Sequence, residues 1–174
     1  MTSPFVFARC KEFVDHWKRL AVPPAIPHTR TFADRVTPLI CESMILELVA
    51  EGTLVRFMGG DLAARWHQDL TGAYLEQFLP PHEQARCRRH VETVCHYPVG
   101  LYARDEIPTS RGRHIEYEMI VLPLAVDSGK PPRCVMHRSN NKVLEFRETK
   151  SGSRWPATVT WIDIGRGIPA SEAK

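Results

Sequence analysis

Cys95 and His96 stand side by side, with His90 five positions upstream. A thiol near an imidazole is the minimum for a cysteine nucleophile and its base. The spacing works against that chemistry, because successive helical residues point about 100 degrees apart. A cysteine on an apolar helix face is ordinarily inert core. Glu116 and Glu118 are the other pair that could exchange protons, as general acid and base. They alternate with Tyr117, Met119 and Val121 along an extended segment, so they share the face opposite those residues, the pattern of a solvated strand face. Cys87, Cys95 and His96 form no Cys-x-x-Cys module, and adjacent side chains are poorly placed to chelate, which disfavours zinc. The chain contains no Gly-x-Ser-x-Gly and no phosphate loop, and "GRG" at 165–167 lacks the remaining glycines of a dinucleotide fingerprint. These residues point to a non-enzymatic protein. The alternative is a small cytoplasmic enzyme of cone-like α+β fold with a catalytic cleft.

The elements that must position these residues follow from periodicity. "RCKEFVDHWKRL" (9–20) sets Phe13, Val14, Trp17 and Leu20 along one stripe of an amphipathic helix. Pro23, Pro24 and Pro27 end it in a stiff connector. Residues 31–43 are ambiguous in pattern. "SMILELVAEGTLVRFMGGD" reads as two strands about a Glu-Gly turn. Between Asp61 and Tyr97 the period becomes helical, in short pieces near 63–67 and 74–78 and then a long helix after Pro80 and Pro81. "VGLYARDEI" and "HIEYEMIVLPLAV" form a second hairpin about "PTSRGR", and "RCVMHR" adds a fifth strand. Helices grouped between two runs of strands predict an α+β domain with a five-stranded antiparallel sheet, short helices and one long helix on one face, and an added N-terminal helix. The expected division is 1–22 helix, 23–141 domain and 142–174 C-terminal extension. The extension holds the polar "ETKSGSR" and the strand-like "ATVTWIDI".

Composition narrows the function. The 174 residues are 43% hydrophobic and 25% charged, which suits one compact domain. The 23 Lys and Arg exceed the 20 Asp and Glu by only +3, short of the clustered surplus expected of a nucleic-acid binder. Arg86, Arg88 and Arg89 read as a solvated helix face with Glu83 and Glu92. No apolar run approaches the roughly 20 residues that span a bilayer, and the first 20 residues are too charged for an export signal. Five scattered cysteines, Cys10, Cys41, Cys87, Cys95 and Cys134, suit reduced thiols and a cytoplasmic setting.

Two stretches resemble the bacterial single-domain PAS proteins of the fifth PAS subfamily. "RFMGGDLAARWHQDLTGAYLEQF" is similar to that family's strand ending at glycine, short helix, Asp-Leu-Thr-Gly and second helix. "EYEMIVLPLAVDSGKPPRCV" is similar to its penultimate strand, glycine-containing turn and last strand. With the leading helix, the resemblance spans about residues 10–138. His67 departs from it, standing where the family tends to have glycine, and Gln68 stands in place of arginine.

The resemblance implies a PAS fold, whose helices can enclose a cavity on the concave sheet face. Alternation and helical period direct Leu46, Leu48, Phe57, Tyr117, Met119, Val121 and Met136 from the strands, and Tyr74, Phe78, Val91 and Val94 from the helices, towards that interior. This is the candidate pocket for a small apolar or amphipathic ligand, with the Tyr117 hydroxyl as its polar handle. The competing reading is that the same side chains fill a core without a void. Haem is disfavoured. His82, His90 and His96 lie on or beside the helix where haem-binding relatives keep an axial histidine, but His90 is flanked by Arg88 and Arg89. Flavin is disfavoured too, because no cysteine lies between Cys41 and Cys87. The ligand stays unassigned. The expected function is a sensor or signalling module that binds a small ligand or a protein partner and acts in trans. Phe5, Phe7, Phe13, Val14 and Trp17 form the candidate homodimer interface, the alternative being a helix folded back over its own sheet.

Overall fold

The computed structural model describes residues 5–21, 26–33, 38–108, 114–140 and 154–170. Pro23 and Pro24, the hairpin tip 109–113 and most of the polar stretch "ETKSGSR" lie outside the described residues. In chain order the elements are α1 (Ala8–Leu20), α2 (Thr29–Ala33), α3 (Pro38–Cys41), β1 (Ser43–Val49), β2 (Gly52–Met58), α4 (Gly60–Trp66), a 3-10 turn (Leu75–Phe78), α5 (Pro81–His96), β3 (Gly100–Pro108), β4 (His114–Leu124), β5 (Arg133–Asn140) and β6 (Thr160–Ile162).

One antiparallel sheet takes the order β2-β1-β5-β4-β3-β6. Both expected hairpins form, β1 with β2 and β3 with β4. The sheet has six strands rather than the expected five. The added strand comes from "ATVTWIDI", which the sequence pattern places in an extension, and pairs with β3 so that Gly100 faces Ile162. A side chain at Gly100 would meet Leu122 at 2.9 Å and Ile162 at 3.1 Å, so glycine lets these strands approach.

The sheet is covered on both faces. α4, the 3-10 turn and α5 lie on one, where Leu62, Leu75, Val91 and Val94 meet Met44, Leu46, Met119, Val121 and Met136. α1 and α2 lie on the other, where Phe13, Val14, Trp17 and Phe32 meet Ile45, Ile120, Leu122 and Val135. Two-sided coverage explains why β4 and β5 are buried at nearly every position instead of alternating with solvent.

The stripe expected to be exposed on α1 is therefore covered by the chain itself. Phe13 is 0%, Val14 4% and Trp17 3% exposed, and the Trp17 indole donates to the Pro123 carbonyl at 3.0 Å. Phe5 packs edge-on against Tyr102, and Phe7 ends the segment leading into the helix. The helix takes the fold-back arrangement, so the homodimer loses the exposed surface from which it was read. α1 has no capping side chain of its own. Glu118 on β4 takes that role, accepting from Val6 N at 2.7 Å and Phe7 N at 2.9 Å, an anion at a helix N-terminus.

Candidate functional site

The helix-covered sheet face gathers most of the candidate pocket residues. Leu46, Leu48, Val91, Val94, Tyr117, Met119, Val121 and Met136 form one cluster, with Phe78 packed against it at partial exposure. Two candidates fall elsewhere, each for a local reason. β1 and β2 slip register between Ile45 and Leu46, leaving Arg56 as the extra residue. After that bulge Met58 turns inward opposite Met44, and Phe57 turns to the α1 side with Ile45. Tyr74 precedes the 3-10 turn in an extended conformation and pairs with Leu54. Its ring lines an open cleft of about 330 Å³ with Glu51, Glu76, Gln77, Gln84, Ala85 and Arg88, while Leu75 and Leu79 face the core.

His67 ends α4 at φ 54, the left-handed conformation that glycine adopts most easily. The family's usual glycine thus has a clear backbone reason here, and histidine accepts the conformation. Asp69 accepts from Thr71 N at 2.9 Å and Thr71 Oγ at 2.7 Å, closing the Asp-Leu-Thr-Gly turn that brings Leu70 into the core.

One end of the interior is polar. Tyr117 faces Asn140 across β4 and β5, and Met119 faces Arg138, so Arg138 and Asn140 continue the inward row of Cys134 and Met136. The Arg138 guanidinium lies 3.9 Å over the Tyr117 ring and 5.9 Å from the Trp66 ring. Arg138 is 5% exposed, and its Nη2 has no hydrogen-bond partner among the described residues. The Tyr117 hydroxyl and Asn140 Oδ1 are likewise buried without partners. Burial pushes the Tyr117 phenol up, against the pull of Arg138, so it is a neutral donor at physiological pH. Alternation fixed the position of Tyr117, but nothing in its pattern identified Arg138. A charged residue after two inward apolar ones was the available signal.

The groups weighed for catalysis are held in structural contacts. Glu118 is 0% exposed, contrary to the expected solvated face, and also accepts from the Tyr102 hydroxyl at 2.7 Å. Glu116 does reach solvent, paired with Arg104 at 2.7 Å. Burial raises the Cys87 thiol, and the Cys95 side chain together with burial raises Cys134, so both are thiols rather than thiolates. His90 accepts from the Trp155 indole at 2.9 Å, which takes up its Nδ1. Burial, aided by Arg86 and Arg89, lowers it to about 4. Trp155 comes from the C-terminal region, its backbone N–H donating to buried Glu83 at 2.7 Å while Arg86 donates to its carbonyl. The expected extension thus completes the interior core.

A further group escaped sequence reasoning. Ser43 Oγ lies 3.2 Å from His137 Nδ1, and His137 Nε2 lies 3.8 Å from Glu42, an order seen in hydrolytic triads. The Ser43 hydroxyl donates to the Leu39 carbonyl at 2.6 Å, the His137 ring stacks on Phe13, and both residues are buried. Burial, with Arg65, lowers His137 to about 3. The histidine is a neutral spacer, too weak a base to activate the serine.

A family model described as PAS domain matches residues 7–136, and the chain belongs to that family. No curated protein matches it. Among solved structures, a fungal LOV domain photoreceptor is 13% identical with a TM-score of 0.43, covering 63% of this chain and 85% of its own. The Rhodobacter sphaeroides LOV protein is 8% identical at 0.42, covering 57% and 58%. The PAS domain of an HTR-like protein from Haloarcula marismortui is 13% identical at 0.40, covering 76% and 97%. Likeness at this level says nothing about what this chain binds.

Proposed function

We propose that this PAS domain protein is a non-enzymatic signalling module that senses a small molecule at its interior and passes the result to a separate partner from the cytoplasm. The observation that carries the reading is the group of buried polar atoms on Arg138, Tyr117 and Asn140, none with a partner among the described residues. Buried polar groups left unpaired cost about 1–3 kcal/mol each, so a ligand that satisfies them gains affinity from its site. β4 supplies a route outward. Tyr117 and Met119 touch the interior, and Glu118 between them holds the start of α1 on the opposite face. A shift of this strand on binding changes the seat of that helix, a surface element able to signal to another chain. No described helix is long and apolar enough to cross a membrane.

The test is to purify the protein, record its absorption spectrum, denature it and identify what is released by mass spectrometry. The reading expects an organic molecule near one per chain, or saturable binding from a metabolite panel that slows amide exchange at Tyr117 and at Phe7 together. Turnover of any panel member, or binding that leaves both amides unaffected, contradicts it.

A further inference from the structure

We propose, resting on the sensor reading, that Arg138, Tyr117 and Asn140 form the recognition end of a site for a carboxylate whose apolar or aromatic body lies towards Met119 and Trp66. Cys134 and Met136, the preceding inward residues of β5, lie in the apolar core, yet the next is an arginine at 5% exposure. Stacking on Tyr117 at 3.9 Å offsets part of the burial of that charge. It occupies the face of the guanidinium and not its edge, where Nη2 is without an acceptor among the described residues.

Neither neighbouring carboxylate is hydrogen-bonded to Arg138 Nη2. Asp105 is paired in register with Tyr117 one strand over, but its Oδ1 accepts from Glu106 N at 2.8 Å. Glu42 accepts from Arg65, which also donates to the Arg138 carbonyl. The unmet donors are a guanidinium N–H and a phenolic O–H. A planar carboxylate accepts from both, and guanidinium recognises it through paired N–H bonds. Asn140 Oδ1 is an acceptor, suited to a hydroxyl or N–H elsewhere on the ligand. The surrounding aromatic and thioether side chains suit an apolar body.

Benzoate, methyl benzoate and inorganic phosphate are the probes, measured by thermal shift and calorimetry on the full chain at constant ionic strength. Benzoate is expected to raise the melting temperature saturably, and neutral methyl benzoate and phosphate are expected to bind at least tenfold more weakly. Arg138→Met should weaken benzoate on the order of tenfold or more. It should also melt no lower than wild type without ligand, because it removes a buried charge that has the field of Asp105 but no hydrogen-bonded counter-ion among the described residues. Tyr117→Phe should lose several-fold, and Arg138→Lys, which keeps the charge without the fork, should fold and bind weakly. If benzoate and its ester bind equally and Arg138→Met keeps both, the carboxylate proposal falls while the sensor reading stands. A phosphate response matching benzoate overturns the ligand class. No response to any probe, with Arg138→Met melting lower than wild type, makes Arg138 a structural cation and overturns the proposal.

Discussion

Glu118 is expected to be the residue whose loss most selectively loosens α1. Its carboxylate, 0% exposed, receives three hydrogen bonds: Val6 N at 2.7 Å, Phe7 N at 2.9 Å and the Tyr102 hydroxyl at 2.7 Å. Val6 is 59% exposed, so its amide can turn to water once the acceptor is gone, whereas the buried Tyr102 hydroxyl cannot. The Glu118→Ala variant therefore loses roughly 2 kcal/mol at the tyrosine. Loss of the anion at the helix start adds about 0.5–1 kcal/mol. The total is about 3 kcal/mol, rising with any cavity left behind. Glu118→Gln keeps one acceptor oxygen and should lose about half of that. Urea denaturation measures the change, and hydrogen exchange localises it: Val6, Phe7 and the first turn of α1 should lose protection before the strands do. A loss below about 0.5 kcal/mol for Glu118→Ala, with exchange in α1 unchanged, would refute the capping argument.

Other consequences follow from the same packing. His137 is held neutral down to about 3, so below an unfolded value near 6.5 only the unfolded chain takes up its proton. Its contribution to stability is complete above pH 6.5 and declines with acid by at most about 1.4 kcal/mol per pH unit; His137→Phe should flatten the slope between pH 6.5 and 4.5, and an unchanged slope would show the group titrates normally. Gly59→Ala should destabilise by about 2 kcal/mol or more, since the added carbon would sit 2.3 Å from the Ile40 and Cys41 carbonyl oxygens; a melting temperature within a degree of wild type would mean that loop yields freely. Phe13→Asp with Trp17→Glu places two charges inside the α1 layer, so circular dichroism should show unfolding at 25 °C, whereas a folded monomer would mean the stripe serves an interface.

The fold was readable because its signals were local. Both β-hairpins, the long helix after Pro80 and the Asp69 turn each carry their pattern within a few residues. The interior followed wherever alternation was unbroken, as at Leu46, Tyr117, Met119 and Val121. It failed at Phe57, because a bulge at Arg56 shifts the inward row by one residue and leaves no mark in composition. Tyr74 was misplaced because strand-like pairing with Leu54, not a helix, sets its direction. Glu118 read as solvated because a sheet covered on one face was assumed, and α1 covers the other. Trp155 and β6 depend on contacts made 58 residues or more across the chain, which period alone does not register.

The central claim is that the interior polar end receives a small molecule from outside the chain. An experimental structure of the protein as isolated, at a resolution that separates water from a bound organic group, tests it most directly. A non-water group is expected within about 3 Å of Arg138 Nη2 and the Tyr117 hydroxyl. Ordered water alone at those atoms, or a rotated Arg138 bonded to Asp105, would contradict it.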